Sequence, residues 1–227
     1  MNTPKSAEDA YREGTDYQFE QEELSLGPWT SYSLVHDPKH MAFVLARYKF
    51  VAKMLHGKQK VFEVGSGDGF GLPIVAQEVG HVYCIDWDTR LLEGNQRRLP
   101  HLKNVSYVHM DLNKDTPTVR ADAAYSIDVI EHIEPAKEDA FVKNILRCLA
   151  PDGVMVTGTP SVTASAHASP RSQAQHINLK SLESLRELMS RYFENVFMFG
   201  MNDEVLHTGY APMCHYIWAV ASGQRNR

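Results

Sequence analysis

The 227-residue sequence lacks any apolar run long enough to span a bilayer, and its first 23 residues lack the apolar core of a secretory signal. We therefore expect a cytoplasmic protein without a membrane partner. It has only three cysteines, Cys84, Cys148 and Cys214, an odd number spread widely along the chain. Because two of them lie in apolar, strand-like runs, buried free thiols are favoured over a disulfide framework or a zinc site.

Positive charge is also in short supply. Lysine and arginine number 23 against 28 aspartate and glutamate residues, which gives a formal net charge of -5. Since lysine and arginine supply most of the nonspecific affinity for phosphate backbones, this balance argues against nucleic acid as a partner. A local basic groove stays open as an alternative, and no feature of the sequence indicates an oligomeric state.

The order of the apolar runs predicts an α/β domain. Five short apolar runs alternate with segments of helical periodicity, and strands separated by crossover helices form a parallel sheet with helices on both faces. Two further runs, at residues 195–201 and 215–221, are joined without a helix and should pair antiparallel. The five predicted strands cover residues 61–64, 81–85, 105–109, 123–127 and 154–157, with a turn at residues 151–153 before the last.

The chain is expected to hold one domain, residues 38–227, preceded by an arm or lid, residues 1–37. Residues 1–23 lack clear periodicity and predict a loose or weakly helical segment, whereas residues 38–55 repeat apolar side chains at helical spacing. They predict an amphipathic helix that ends at Gly57. For Trp29, Tyr32 and His36, a lid role and simple aromatic anchoring of the arm are equal alternatives.

A glycine-rich segment follows the first predicted strand and precedes a helix. It runs from Glu63 to Gly71, and Asp86 follows at the end of the second strand, where a carboxylate accepts ribose hydroxyls. The dinucleotide pattern G-x-G-x-x-G requires glycine at position 70, where the sequence has Phe70, so an NAD-dependent oxidoreductase is disfavoured. The carboxylates of Glu63 and Asp68 are awkward for a pyrophosphate but complement an amino group and a sulfonium, which favours S-adenosylmethionine.

This segment resembles the first motif of class I S-adenosylmethionine-dependent methyltransferases, an acidic residue followed by G-x-G-x-G, and the resemblance covers roughly residues 40–221. It implies a Rossmann-like, seven-stranded, mostly parallel sheet with an antiparallel terminal strand and helices on both faces. It also implies that Asp86 binds the ribose, that Asp111 lies beside the adenine amino group and that Asp128 lies near the methionine end. A tight turn alone is the alternative for the glycines, and a helix cap for Asp111. The expected cofactor-binding residues are Glu63, Gly65, Ser66, Gly67, Asp68, Gly69, Asp86, Trp87, Asp111, Leu112 and Asp128.

A second informative segment follows the fourth predicted strand, at the edge where α/β sheets bind ligands. Its residues Asp128, Glu131 and His132 resemble an acidic-x-x-Glu-His pattern with which ubiquinone-pathway O-methyltransferases and small-RNA 3′-end methyltransferases hold a divalent metal. The resemblance implies a site for Mg²⁺, Mn²⁺ or a related ion, with His176 as a further ligand, that lowers the pKa of a hydroxyl. The alternative is that Glu131 and His132 pack against the start of the next helix and hydrogen-bond to it.

Histidines in the polar segment after the fifth strand are candidates for a general base. An imidazole accepts a hydroxyl proton near neutral pH, and His176 is better placed than His167 because it immediately precedes a helix. We expect His176 and His132 to be the catalytic residues, with a solvated or capping role for His176 as an equal alternative. In the link at residues 201–210, His207 and Tyr210 are candidate substrate contacts, although an ordered structural loop is favoured.

These features predict an enzyme that transfers a methyl group from S-adenosylmethionine to an oxygen, or less favourably a nitrogen, of a small-molecule acceptor. The acceptor is expected to be polar, such as a sugar or another secondary metabolite, and the reaction requires in-line placement and removal of its proton. Two alternatives remain: a metal-dependent 2′-O-methyltransferase of RNA ends, and a non-catalytic module that binds S-adenosylmethionine.

Overall fold

The structure, a computed structural model, describes residues 5–19 and 23–225. Its strands are β1 (Lys60–Val64), β2 (His81–Asp86), β3 (Val105–His109), β4 (Ala121–Ile127), β5 (Leu149–Pro160), β6 (Phe193–Asn202), β7 (Val205–His207) and β8 (Tyr216–Gln224). Its α-helices are α1 (Ala7–Phe19), α2 (Pro28–His36), α3 (Pro38–Met54), α4 (Leu72–Ala76), α5 (Thr89–Arg98), α6 (Glu138–Leu146), α7 (Pro170–Gln175) and α8 (Leu182–Ser190). Residues 1–4 and 20–22 of the predicted arm, and the last two residues of the predicted domain, lie outside the described residues.

In the described residues the strands form one sheet in the order β3-β2-β1-β4-β5-β8-β6-β7. The first five strands pair in parallel, and β8 runs antiparallel between β5 and β6. The predicted α/β sheet with an antiparallel terminal strand is therefore confirmed, with eight strands instead of seven. The extra strand, β7, has three residues paired with the end of β6, and so short a segment has no periodicity that a sequence pattern could reveal.

The sheet divides the core into two layers. On one face, α3 and α4 pack with the buried Tyr125 and Trp218; on the other, α6 and α8 pack with Phe62 and Ile217. Because both faces are covered, the parallel strands are apolar along their length, as the short runs predicted. The carboxyl ends of the parallel strands therefore meet along one edge of the sheet, where α/β proteins bind ligands.

Three local predictions differ from the structure. The helical segment expected between the third and fourth strands is absent, since residues 110–120 form turns and coil. The turn expected at residues 151–153 is an irregular stretch within β5, where the pairing moves from Ala121 opposite Leu149 to Ala123 opposite Val154. Extra residues in one strand disrupt the ladder locally without ending it. The arm is more helical than expected, since α1 and α2 both form within it, and α2 begins with Pro28, whose fixed φ suits the first helical turn.

Other predictions are confirmed. The amphipathic helix predicted over residues 38–55 is α3, and Gly57 follows it with a φ of 78°, a conformation that glycine adopts easily after a helix. All three cysteines are free thiols; Cys84 and Cys214 are buried and Cys148 is half-buried. Among the described residues, none of the helices combines the length and apolarity needed to cross a membrane.

Candidate cofactor and acceptor site

The glycine-rich loop between β1 and α4 adopts a backbone conformation that requires glycine. Gly65, Gly67 and Gly69 have φ values of 75°, 52° and 73°, in the left-handed region where side chains are strained. A β-carbon at Gly65 would also lie 2.4 Å from Val129 Cγ2. The loop is therefore a preformed bend whose backbone closely approaches the residues that follow β4.

Two polar side chains of α5, which no sequence motif marks, hold this loop in place. Asn95 is completely buried and donates from Nδ2 to the Gly67 carbonyl at 2.9 Å. Arg98 donates to Asn95 Oδ1 at 2.7 Å and to the Asp68 carbonyl at 3.2 Å. Because a buried amide needs hydrogen-bond partners, Asn95 fixes the loop to α5.

Asp86, at the end of β2, faces the same loop. Its carboxylate is buried and accepts from the Gly67 N–H at 3.3 Å and from the Asp88 N–H at 2.9 Å. Burial raises the pKa of Asp86, and these backbone hydrogen bonds oppose the rise. The next residue, Trp87, leaves 69% of its surface exposed. A carboxylate and an open aromatic ring thus lie where the ribose and adenine of the cofactor are expected.

Asp111 is engaged in a local turn. Its Oδ1 accepts from the backbone N–H and the side-chain amide of Asn113, each at 3.0 Å, and its Oδ2 lies 2.7 Å from Lys114 Nζ. The hydrogen bond from Lys114 lowers the pKa of Asp111. These contacts form an Asx turn and not the helix cap named as the alternative, because no helix follows Asp111 before β4. The neighbouring Leu112 is buried in the core. Contact of either residue with the cofactor stays a prediction.

The two carboxylates expected to complement the charge of the cofactor lie in enclosed positions. Glu63 is buried, accepts a hydrogen bond from Cys84 Sγ at 3.1 Å, and has a pKa that burial raises to about 7. Asp68 accepts from the N–H and Oγ1 of Thr30 at 2.8 and 3.0 Å. Between them, Ser66 Oγ is buried without a hydrogen-bond partner in the described residues. Direct cofactor contacts of Glu63 and Asp68 therefore stay predictions.

The two hydrogen bonds between Thr30 and Asp68 hold α2 against the glycine loop. A β-carbon at Gly67 would lie 3.0 Å from the Trp29 ring, so this aromatic residue covers the bend. Tyr32 and His36 pair with each other, with ring centroids 4.2 Å apart. The arm thus lies next to the predicted cofactor site, and its role as a lid stays a prediction.

Asp128 directly follows β4 and has a φ of 57°, an uncommon value for a residue with a side chain. Its Oδ2 accepts from Nη1 of the buried Arg47 at 2.8 Å. The Arg47 guanidinium also lies 4.0 Å above the Tyr216 ring. No sequence pattern indicates Arg47, because it lies on α3 and reaches Asp128 only through the folding of the chain.

Three of the four predicted metal ligands converge. Glu131, His132 and His176, called here the histidine–glutamate cluster, have potential ligand atoms that all lie within 4.8 Å of one another. Burial, with Asp128 adding to it, raises the pKa of Glu131 to about 8, and burial lowers the pKa of His176. The fourth predicted ligand, Asp128, stands outside this group and pairs with Arg47.

Local contacts orient the cluster. Thr159 Oγ1 donates to Glu131 Oε2 at 3.0 Å, and His132 Nδ1 donates to the Gln175 carbonyl at 3.1 Å, which leaves Nε2 as the ligating nitrogen of His132. The other oxygen of Glu131, Oε1, is buried and has no partner in the part of the chain that the structure describes.

A buried polar network fixes the segment that carries His176. Asn178 donates from its backbone N–H to the Glu131 carbonyl at 3.0 Å and from Nδ2 to Glu138 Oε2 at 2.9 Å. Lys180 is ion-paired with Glu138 and donates to Asn178 Oδ1 at 2.9 Å. All three side chains of this network are buried, so the backbone beside His176 is held against that of Glu131.

The remaining candidates have simpler roles. His207 donates from Nε2 to Asn202 Oδ1 at 2.7 Å and accepts from the Gly209 N–H at Nδ1 at 3.0 Å. With both ring nitrogens used, His207 stabilises an ordered hairpin link, as the favoured alternative predicted. Tyr210 is 71% exposed in the same link, and His167 ends a 3-10 turn away from the histidine–glutamate cluster.

Residues 62–157 match the family described as the methyltransferase domain. A "Probable S-adenosylmethionine-dependent methyltransferase" of Mycolicibacterium smegmatis is 29% identical over 115 residues, which are 50% of this chain and 42% of that protein. The methyltransferase domain of bacterial CtHen1-C shares the fold with a TM-score of 0.66 at 19% identity, covering 79% of this chain and 98% of that one. NodS from Bradyrhizobium japonicum WM9, an N-methyltransferase in complex with S-adenosylhomocysteine, shares the fold with a TM-score of 0.61 at 13% identity. The match covers 93% of this chain and 97% of that one.

The sheet has the Rossmann-like fold of these methyltransferase structures, and residues 62–157 are similar to the methyltransferase domain family. The match of residues 62–157 and the curated relative support the predicted enzyme class and S-adenosylmethionine as the cofactor. The chain spans less than half the length of the curated relative that it matches, and the solved structures, at this identity, establish the shared fold.

Proposed function

We propose that this chain transfers a methyl group from S-adenosylmethionine to an oxygen atom of a small polar acceptor, such as a sugar or another secondary metabolite. The observation that carries this proposal is the histidine–glutamate cluster at the sheet edge, beside Asp128 and the glycine loop. A hydroxyl needs a partner that removes its proton, and a neutral imidazole supplies one. A nitrogen acceptor is the less favoured alternative.

The loop region fits the cofactor. Its glycines keep side chains away from the end of β4, and Ser66 Oγ and Asp128 Oδ1 are buried polar atoms without hydrogen-bond partners in the described residues. When bound, S-adenosylmethionine supplies an electrophilic methyl group on its sulfonium. Asp86 would accept the ribose hydroxyls, Trp87 would stack on the adenine, and Asp128 would face the methionine end.

His176 is the proposed general base. Burial and the neighbouring His132 lower its pKa, which keeps the imidazole neutral and able to accept a proton at neutral pH. The acceptor oxygen forms its bond to the methyl carbon as the carbon–sulfur bond breaks, the bonding pair stays on sulfur, and the hydroxyl proton passes to His176. The His132 ring lies beside that of His176, with ring centroids 5.2 Å apart, and its charge contributes to lowering the pKa of His176.

A divalent cation is the alternative to an imidazole base, because His176 cannot ligate an ion and accept the hydroxyl proton with the same nitrogen lone pair. Glu131 Oε1 is buried and unpartnered in the described residues, and two imidazoles with one carboxylate are a donor set that transition ions accept. The nitrogen ligands shift the preference from Mg²⁺ towards Mn²⁺ or a similar ion. Such an ion would lower the pKa of a bound hydroxyl, and Glu131, His132 and His176 would hold it.

The same cluster keeps methylation of an RNA end as a second candidate, because the acidic-x-x-Glu-His pattern resembles that of the small-RNA enzymes. The net charge of -5 opposes this candidate, since RNA binding depends on cationic contacts to phosphate. A cytoplasmic location likewise stays a prediction.

Calorimetry on the full chain tests the shared step. We expect binding of S-adenosylmethionine and S-adenosylhomocysteine, a loss of about tenfold or more in Asp86→Ala, and no change in Asp152→Asn, an exposed position. Methyl transfer is then measured with hydroxylated compounds, amines and RNA ends as acceptors. Each assay is run in the presence of a chelator and in the presence of added Mn²⁺. Failure to bind either compound would remove the proposal, and transfer restricted to RNA would favour the second candidate.

A further inference from the structure

A second pair of histidines lies at the same edge of the sheet. His40, in the first turn of α3, and His215, directly before β8, flank Phe43, whose ring centroid is 6.2 Å from each imidazole centroid. The His215 carbonyl accepts from the Ser161 N–H at 2.9 Å, where β5 ends. These three rings form what is called here the α3 wall.

The α3 wall lies within reach of a group bound beside Asp128. β8 is two strands from β4 in the sheet, and strand spacing places their ends roughly 10 Å apart. Arg47, which pairs with Asp128 at 2.8 Å, also stacks on Tyr216, the residue that follows His215. The α3 wall is therefore connected through Arg47 to the end of β4, where the segment that carries Glu131 and His132 begins.

The two imidazoles of the wall have unused hydrogen-bonding groups. The Asp203 N–H donates to His215 Nε2 at 2.6 Å, so Nδ1 of that ring carries the proton in the neutral form. Neither nitrogen of His40 nor His215 Nδ1 has a hydrogen-bond partner among the described residues. Burial lowers the pKa of both histidines, with Arg47 adding to the effect, which favours the neutral form of each ring.

The surrounding charges select against an anion. Asp37 and Asp128 act on His40, and Asp203 acts on His215. The nearby cation, Arg47, is already paired with Asp128 at 2.8 Å. A phosphate or carboxylate on the acceptor would face three carboxylates and one neutralised guanidinium, and like charges at such distances repel.

We propose that His40, Phe43 and His215 form the acceptor subsite and that it takes an uncharged, hydroxylated ring such as an unmodified pyranose. A neutral imidazole offers one donor and one acceptor, which matches a hydroxyl, and Phe43 packs against the C–H face of the ring. This inference rests on the proposed function and narrows its acceptor class.

The test titrates the full chain, saturated with S-adenosylhomocysteine, with four probes: methyl β-glucopyranoside, glucosamine, glucuronate and glucose 6-phosphate. We expect the neutral glycoside to bind at least about tenfold more tightly than either anion. His40→Ala and His215→Ala should each weaken binding of the glycoside by about tenfold. Phe43→Leu should weaken its binding as well. The matched control is His101→Ala, an exposed histidine at the opposite edge of the sheet.

Affinity for S-adenosylhomocysteine is measured in every variant and should stay constant. If the parent protein fails to bind S-adenosylhomocysteine, the proposed function fails. If that ligand binds but no probe does, or an anionic sugar or glucosamine binds best, or the α3 wall variants match His101→Ala, the acceptor inference alone is overturned.

Discussion

Arg47 and Asp128, 81 positions apart in the chain, form an ion pair of 2.8 Å at the end of β4. The arginine comes from α3, its side chain is 8% exposed, and its guanidinium stacks on Tyr216. The pair orients Asp128, whose left-handed backbone conformation already fixes the direction of its side chain. It therefore links the first long helix of the domain to the predicted methionine end of the cofactor site.

Replacing Arg47 should destabilise the protein. Removing one partner of a buried pair leaves the other uncompensated, but the Asp128 side chain is 36% exposed, so water screens part of the effect. We expect Arg47→Met to lower the free energy of unfolding by about 2 kcal/mol, measured by urea denaturation. The double variant Arg47→Met, Asp128→Asn should recover part of this loss, and additive losses would contradict the pairing.

Asn95 should control cofactor affinity through the loop. Asn95→Ala removes the hydrogen bond to the Gly67 carbonyl, and a loop with more freedom must be ordered when the cofactor binds. We expect S-adenosylhomocysteine to bind about tenfold more weakly, measured by calorimetry. Asn104→Ala is the matched control, because Asn104 also donates an amide to a backbone carbonyl, that of Ala76 at 2.8 Å, but at the other edge of the sheet. Equal effects of the two variants would count against a specific role.

Glu63 should make stability depend on pH. Burial raises its pKa in the folded protein to about 7 from the ordinary 4.5. Between these values the folded state keeps a proton that the unfolded chain releases, so stability falls as the pH rises. Glu63→Gln removes this loss. The free energy of unfolding of the variant, relative to that of the parent, should therefore rise between pH 5 and pH 8, by up to about 3 kcal/mol. Urea unfolding at both pH values measures it, with the exposed Glu194→Gln as control; parallel pH profiles of parent and Glu63→Gln would refute it.

Thr30 should govern cofactor exchange. Its N–H and hydroxyl both bind Asp68, so we expect α2 to act as the predicted lid that must detach before the cofactor leaves. Thr30→Val keeps the shape and the N–H but removes the hydroxyl bond, and should speed dissociation of S-adenosylhomocysteine about fivefold. Stopped-flow measurement of the intrinsic tryptophan fluorescence follows the release. Ser31→Ala, on an exposed neighbouring residue, should leave the rate unchanged, and no difference between the two variants would exclude a lid held by this bond.

The sequence predicted the sheet because most of its parallel strands are short apolar runs with a helix after them; β3 is the exception, since residues 110–120 join it to β4 without a helix. Local chemistry was harder to read: Pro151, Asp152 and Gly153 are typical of a turn, yet pairing with β4 continues through them as an irregularity. β7 has three residues, and the half-exposed link that holds it has no pattern to distinguish a strand from a loop.

The candidate site divides in the same way. The glycine loop and the Glu131-His132 pair could be found because their residues are adjacent in the chain. Arg47, Asn95 and Lys180 could not, because each belongs to an ordinary helix or loop and meets its partners only across tertiary contacts. Their burial depends on the packing of the whole domain, which no local pattern encodes.

Helix α3 contributes to three places at once: His40 and Phe43 to the α3 wall, Arg47 to Asp128, and Tyr48 to the backbone of the glycine loop at Gly71. Each added residue turns a helix by about 100°. A single insertion or deletion between His40 and Tyr48 would therefore rotate the helical residues of the α3 wall relative to the glycine loop. Sequence change within α3 is consequently restricted to substitutions, while length changes must fall in the connections on either side of it.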